Sequence, residues 1–301
     1  MDERYCTVGD IELCYESFGD ETDPTLLLVM GLGMQMVGWR EDFCRLLVAR
    51  GFRVVRFDNR DTGRSTHLRE LPVPTRRQLL MRRVRAGYTL ADMAADAVGL
   101  LDHLGVERAH VAGVSMGGMI AQTIAARHPE RVLSLTSMMS NTGSRRRGQP
   151  RLSTYPVLLR AGPDELEPYV EHALAMTKLI ESPGFEIDVA DVRHVAAVNW
   201  ERGRDRGTVP RQLAAIIASG DRTAELRTIR APTTVIHGDR DRLVRISGGR
   251  ATAAAIPGAR MLVIEGMGHD LPRGAWPLII DAIAEVAARA TAGQAEAGGA
   301  Y

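Results

Sequence analysis

A short glycine-rich stretch around Ser115 holds the residues whose types and spacing best suit covalent chemistry. The serine has glycine two positions away on each side, Gly113 and Gly117, with an apolar run before it and a helical pattern after it. A strand that turns this sharply into a helix leaves no room for a Cβ at the flanking positions, and it lifts the hydroxyl toward the free N–H groups of the helix. The pattern predicts a nucleophile whose intermediate carries an oxyanion, although a purely structural turn has the same glycines.

A serine hydroxyl has a high pKa, so it needs a general base, and histidine suits that role near neutral pH. Among the eight histidines, His269 is the candidate, because it follows an apolar strand pattern in a Gly-Met-Gly-His segment and precedes the last helix. His237 lies inside a strand pattern, which predicts a buried structural residue. His172 and His194 lie in a helical region and are candidates for lining a pocket.

The base in turn needs an acid that orients its ring, and this acid should follow another strand end. The strand pattern Thr233–His237 leads into a turn that contains Asp239 and Asp241. We favour Asp241, because a Gly-x-x-Asp turn returns the carboxylate toward the strand ends. Asp239 is the alternative.

Two backbone N–H groups are expected to bind the oxyanion. One belongs to the residue after the nucleophile, Met116, and the other to the loop after the predicted strand Thr25–Met30, where Leu32 is the candidate. Glycines on each side of Leu32 allow the backbone to approach a substrate closely.

Several methionines lie beside these motifs. Methionine is flexible and polarizable, so it adapts to irregular apolar shapes, and the sequence predicts a wide apolar pocket. Met119 and Met138 are expected to fill the core instead. The predicted pocket residues are Gly31, Gly33, Met34, Met36 and Met267.

The elements that must position these residues alternate between strand and helix patterns. Continuous apolar runs are typical of strands buried on both faces of a parallel sheet. They occur at Thr25–Met30, Phe52–Phe57, Val132–Met138 and Thr233–His237. Between residues 141 and 227 only helical patterns appear. The sequence predicts an α/β fold with a mostly parallel central sheet flanked by helices, a core of residues 1–140 and 228–301, and an inserted helical cap at 141–227.

Over nearly its whole length the chain resembles the α/β-hydrolase superfamily, and within it the serine-nucleophile branch around aclacinomycin methylesterase. The matching segments are Gly113–Gly117, Asp58–Ser65, Gly238–Asp241 and Gly266–His269. Nucleophile, acid and base also follow the chain order of this superfamily. The sequence departs from it at Met30, where most members carry a structural histidine before the glycine.

This resemblance implies the α/β-hydrolase fold, a catalytic triad of Ser115, Asp241 and His269, and an oxyanion hole made by Leu32 and Met116. It implies hydrolysis of a carboxylic ester through an acyl-enzyme, with a bulky apolar substrate of the kind represented by polyketide-type methyl esters.

Composition and charge limit the classes of molecule that the protein is expected to bind. With 301 residues and a formal net charge of +1, the chain offers no overall electrostatic attraction for nucleic acid. The three cysteines, Cys6, Cys14 and Cys44, are odd in number and lack metal-ligand spacing, so reduced thiols of a cytoplasmic protein are expected. We expect a small-molecule substrate, no metal, no cofactor, no signal peptide and no membrane span, while the oligomeric state stays open.

Other functions share parts of this pattern. A nucleotide-binding oxidoreductase would use Gly31, Gly33 and Asp58, but the next glycine, Gly38, comes too late for that fingerprint. A serine at position 115 excludes hydrolases with a carboxylate nucleophile. Thioesterase, lactonase, C–C hydrolase and cofactor-free perhydrolase activities remain compatible with the same triad, as does a non-catalytic binding protein on this fold.

Overall fold

In the computed structural model, which describes residues 2–150, 154 and 162–298, an eight-stranded sheet runs through the centre of the chain. The strands lie in the order β1-β2-β4-β3-β5-β6-β7-β8, and all neighbours are parallel except that β2 runs antiparallel to β1 and β4. They span Arg4–Val8 (β1), Ile11–Phe18 (β2), Thr25–Val29 (β3), Arg53–Phe57 (β4), Ala109–Val114 (β5), Val132–Met138 (β6), Thr233–Gly238 (β7) and Arg260–Ile264 (β8). The predicted α/β fold with a mostly parallel sheet is confirmed.

Helices cover both faces of the sheet. They span Glu41–Val48 (α1), Arg76–Leu80 (α2), Leu90–His103 (α3), Met116–Arg127 (α4), Leu166–Ile180 (α5), Val189–Glu201 (α6), Thr208–Ser219 (α7), Thr223–Leu226 (α8), Ser247–Ala255 (α9) and Trp276–Gly298 (α10). None of the described helices combines the length and apolar character needed to cross a bilayer.

Burial on both faces explains the continuous apolar runs. In β3, Leu27 and Val29 pack into one core with α3 and α4, whereas Leu26 and Leu28 pack into the opposite core with α1 and α10. Side chains alternate across a strand, so a strand between two cores must be apolar at every position.

Helices are the regular elements that the structure describes between β6 and β7. This segment contains α5 to α8 and no described strand, and residues 151–153 and 155–161 of the predicted cap lie outside the described residues. We propose that residues 141–227 form the cap and the rest of the chain the core. The last helix also differs from its predicted end at Ala290, since α10 continues to Gly298, and residues 299–301 of the predicted tail are outside the description.

A buried ion pair joins α7 to the segment after β4. Two nitrogens of the Arg211 guanidinium, Nε and Nη2, each donate to the Asp61 carboxylate at 2.6 Å. The Arg211 side chain is 4% exposed and the Asp61 side chain 0%. The Tyr88 hydroxyl donates to the same carboxylate at 3.0 Å, and the Thr208 hydroxyl donates to the Asp61 carbonyl at 2.7 Å. These contacts attach the cap to the core.

A second buried carboxylate, Asp58, connects the cap to the loop after β3. Its Oδ1 accepts a hydrogen bond from the Met36 N–H at 2.6 Å, while its Oδ2 pairs with the guanidinium of Arg202 at the end of α6. The Arg202 Nε–H also donates to Gln35 Oε1 at 2.9 Å. The loop after β3 is therefore tied both to β4 and to the cap.

We expect Arg211→Leu to lower the free energy of unfolding by about 3–5 kcal/mol, because it leaves the Asp61 charge buried without its cation. Arg193→Leu is the matched control, since Arg193 on α6 pairs with Glu167 and Glu171, whose side chains are 75% and 52% exposed. Its loss should leave the free energy of unfolding nearly unchanged, because exposed ion pairs contribute little. Urea unfolding measures both values, and equal small losses would contradict a structural role for the buried pair.

Candidate active site

Ser115 occupies a strained turn between β5 and α4. Its φ of +57° and ψ of −118° are uncommon for a residue with a side chain. The turn is held by a hydrogen bond from the Ser115 N–H to the Met138 carbonyl at 2.8 Å. A Cβ added at Gly113 would lie 2.1 Å from the Gly117 carbonyl oxygen, and one added at Gly117 would lie 2.1 Å from the Val29 carbonyl oxygen. Both glycines are therefore sterically required.

The structure brings Ser115, His269 and Asp241 into one hydrogen-bonded chain. Ser115 Oγ lies 3.0 Å from His269 Nε2, and His269 Nδ1 lies 2.6 Å from Asp241 Oδ2. An ionised carboxylate only accepts hydrogen bonds, so Nδ1 carries the proton and Nε2 is left to accept the serine proton. The other carboxylate oxygen, Asp241 Oδ1, accepts the N–H groups of Leu243 and Val244, each at 2.8 Å.

The surroundings keep the Asp241 carboxylate charged. Burial raises its pKa, but the charge of His269 and the hydrogen bonds from His237 and His269 lower it more, and the net pKa is below the usual 3.8. His237 is fully buried, as predicted for a structural residue. It lies next to Asp241, with Nε2 at 2.7 Å from the Val244 carbonyl oxygen and 3.4 Å from Asp241 Oδ2.

Asp239, the alternative acid, lies outside this chain of contacts. It is exposed, and its Oδ1 accepts a hydrogen bond from the Gly266 N–H at 2.7 Å. Asp239 therefore supports the loop that carries His269 without touching the ring.

The cap also supports this loop, which the sequence pattern did not indicate. The His269 N–H donates to the Ile180 carbonyl at the end of α5 at 2.8 Å. The Ser182 hydroxyl accepts from the Gly268 N–H at 2.7 Å and donates to Asp270 Oδ1 at 2.5 Å. Hydrogen bonds thus hold the backbone on both sides of the imidazole.

The residues predicted to supply the oxyanion donors, Leu32 and Met116, line the same cavity as Ser115. Met116 is the first residue of α4, so its N–H has no acceptor within the helix. A Cβ added at Gly31 would lie 3.3 Å from Ser115 Cβ, which shows how closely the loop Gly31–Gly33 passes the serine. The backbone placement is compatible with the predicted role of Leu32.

A cavity of about 1330 Å³ opens above Ser115 and His269, between the core loops and the cap. Gly31, Gly33 and Met34 line it, as predicted. Further methionines on the lining are Met30, Met116, Met119, Met139 and Met176. Met119, which the sequence placed in the core, packs into the core and also reaches the cavity, whereas Met138 is in the core alone.

Two predicted pocket residues, Met36 and Met267, are not on the cavity lining. Both are fully buried: Met36 packs with Cys14 and Val37, and Met267 packs in the core shared with α1 and α10. The Met36 N–H is bound by Asp58, which turns this residue inward. Closeness in sequence to a motif does not decide which side of the backbone a side chain takes.

The two cap histidines also differ from each other. His172 lines the cavity, whereas His194 is exposed on the surface of α6. Only one of the two predicted pocket histidines therefore faces the site.

Comparisons with known proteins agree with this fold. The model of the α/β-hydrolase fold family matches residues 24–272. The rhodomycin D methylesterase of Streptomyces peucetius is 31% identical over 293 residues, which is 90% of this chain and 93% of that protein. The rhodomycin D methylesterase of Streptomyces sp. strain C5 is 31% identical over 295 residues, with coverages of 90% and 93%.

A solved structure shows the same fold. The enol-lactonase from Burkholderia xenovorans LB400 superimposes with a TM-score of 0.71 at 23% identity, covering 94% of this chain and 99% of that chain.

A fluorophosphonate probe should label the protein at Ser115, because the geometry supplies a base and places the serine on the cavity lining. We expect Ser115→Ala to fold with an unchanged circular dichroism spectrum and to lose the label. Ser137→Ala is the matched control, since Ser137 is a fully buried serine on the neighbouring strand β6. Labelling that survives Ser115→Ala would place the reactive group elsewhere.

Proposed function

This chain belongs to the α/β-hydrolase family, and from that premise we propose that it hydrolyses carboxylic esters of bulky apolar molecules with Ser115 as nucleophile. The observation that supports this most directly is the hydrogen-bonded chain from Ser115 through His269 to Asp241 at the floor of a large cavity.

The first half of the proposed reaction transfers the acyl group to the enzyme. Ser115 Oγ attacks the ester carbonyl carbon while His269 Nε2 accepts the hydroxyl proton. The N–H groups of Met116 and Leu32 bind the negative charge that forms on the carbonyl oxygen. When the C–O bond breaks, His269 returns the proton to the leaving alcohol, and an ester of Ser115 remains.

The second half releases the acid. A water molecule attacks the acyl-enzyme, His269 takes one proton from it and then returns that proton to Ser115 Oγ. Asp241 stays ionised throughout, since its pKa is lowered by its surroundings. Its role is to hold the imidazole in the tautomer with Nδ1 protonated and to stabilise the imidazolium.

The cavity supports a bulky apolar substrate. At about 1330 Å³ it exceeds the range of about 300–1,000 Å³ usual for small-molecule sites. Apolar side chains on its lining stay exposed to solvent, among them Met34 at 43%, Leu80 at 68% and Val209 at 36%. Covering them with a substrate would contribute about 25 cal/mol per Å² of apolar area. The relatives named methylesterases support a small alcohol, methanol, as leaving group.

The two aspartates of the turn after β7 should differ sharply. Asp241→Asn is expected to lower kcat by about 10³–10⁴-fold, because an amide stabilises the wrong tautomer of His269. Asp239→Asn keeps an acceptor oxygen for the Gly266 N–H and should lower kcat by less than about 3-fold. Steady-state kinetics on one ester tests both variants, and the reverse ranking would move the orienting acid to Asp239.

An ester panel tests the substrate class. The purified protein should hydrolyse methyl and p-nitrophenyl esters of polycyclic or long-chain acids at least ~10-fold better, in kcat/KM, than the matching acetates, because each buried apolar group adds binding energy. Acyl thioesters of the same acids belong in the panel. A preference for acetate, for small charged esters or for thioesters would reject the proposed substrate and leave only the hydrolase assignment.

A further inference from the structure

Gln212 on cap helix α7 is fully buried and touches both core loops beside the nucleophile. Its Oε1 accepts a hydrogen bond from the Gly33 N–H at 2.8 Å. Its Nε2 donates to Thr62 Oγ1 at 2.7 Å and to the Arg60 carbonyl at 3.2 Å. One cap side chain thus bridges the loop after β3 and the segment after β4.

These partners determine the orientation of the amide. A carbonyl oxygen can only accept, so the –NH₂ group must face Arg60, and the oxygen must face the Gly33 N–H, which can only donate. The same helix passes close to Gly33, since a Cβ added there would lie 2.5 Å from Val209 Cγ2. The φ of Gly33 is +67°, a conformation that glycine adopts without strain.

The loop Gly31–Gly33 needs such a support. Glycine at two of three positions permits several backbone conformations, and fixing the Leu32–Gly33 peptide limits the rotations open to the adjoining Gly31–Leu32 peptide, which carries the Leu32 N–H. Oxyanion donors stabilise the transition state because they are already oriented toward the oxyanion, so a donor with a variable orientation loses most of its effect.

We infer that Gln212 is a positioning residue that holds the oxyanion loop in its working conformation. The inference rests on the proposed function, because it assigns Gln212 to the step in which Leu32 binds the carbonyl oxygen. It also makes the Gln212 end of α7 a support of the oxyanion loop, and that end of the helix has to stay docked during turnover.

Gln212→Met tests the inference, since methionine has a similar length and no hydrogen-bonding amide. We expect kcat on a p-nitrophenyl ester to fall by about 10–100-fold, less than the ~10²–10³-fold for removal of an oxyanion donor, with KM within about 3-fold. Ser219→Ala is the matched control. Its hydroxyl accepts from the Leu90 N–H at 3.0 Å and docks the other end of α7, and we expect kcat to change by less than about 2-fold.

A thionoester separates positioning from general damage. Its sulfur accepts hydrogen bonds poorly, so its hydrolysis gains less from the oxyanion donors than hydrolysis of the oxygen ester. Gln212→Met should therefore lower the ratio of ester to thionoester kcat/KM at least ~5-fold. Inhibition by a trifluoromethyl ketone, which forms an oxyanion on Ser115, should weaken in parallel. A second variant, Thr62→Val, removes one hydrogen-bond partner of the Gln212 amide and should lower the ratio of ester to thionoester kcat/KM about 2-fold. It provides the test if Gln212→Met does not fold.

The outcomes are distinct. Equal losses on the ester and the thionoester, with unchanged ketone inhibition, would overturn the positioning role and leave the proposed function intact. A wild-type protein that hydrolyses no ester and takes no fluorophosphonate label would reject the proposed function and this inference together.

Discussion

Burial of the Asp58 and Asp61 carboxylates is the constraint on which the surroundings of the site depend. A buried carboxylate requires a cationic or N–H partner, because an unpaired charge in the interior is too costly to retain. The partners come from the cap, with Arg202 at the end of α6 and Arg211 on α7. The cap is consequently attached to the core by charge pairing as well as by apolar contact.

The same constraint organises the loops around the nucleophile. Asp58 also binds the Met36 N–H, so the loop after β3 cannot move independently of β4. The sheet holds the strained Ser115 turn through the Met138 carbonyl, and the Ile180 carbonyl of the cap holds the His269 loop. Strain at one residue persists when the surrounding structure over-determines it, and here several elements contribute to that restraint.

The sequence predicted the parts of this arrangement that follow from local rules. Strands such as β3 were found because burial on two faces makes every position apolar, and Asp241 was preferred to Asp239 because of the geometry of a short turn. Gln212 and Arg211 were not found, since their partners lie 179 and 150 positions away and no periodicity marks such pairs. Met267 was misplaced because the direction of a loop side chain depends on tertiary packing.

A cap fixed at α7 limits how a substrate can enter. If α7 supports the oxyanion loop through Gln212, an opening motion at α7 would dismantle the site that it exposes. Solvent already reaches the cavity lining at Leu80 on α2 and at Met34, which are 68% and 43% exposed. An apolar molecule that enters along these two side chains would leave the ion pair of Arg211 with Asp61 intact. On the proposed function, selectivity would then depend on the shape of the cavity along this path, and the catalytic loops would keep their alignment from one turnover to the next.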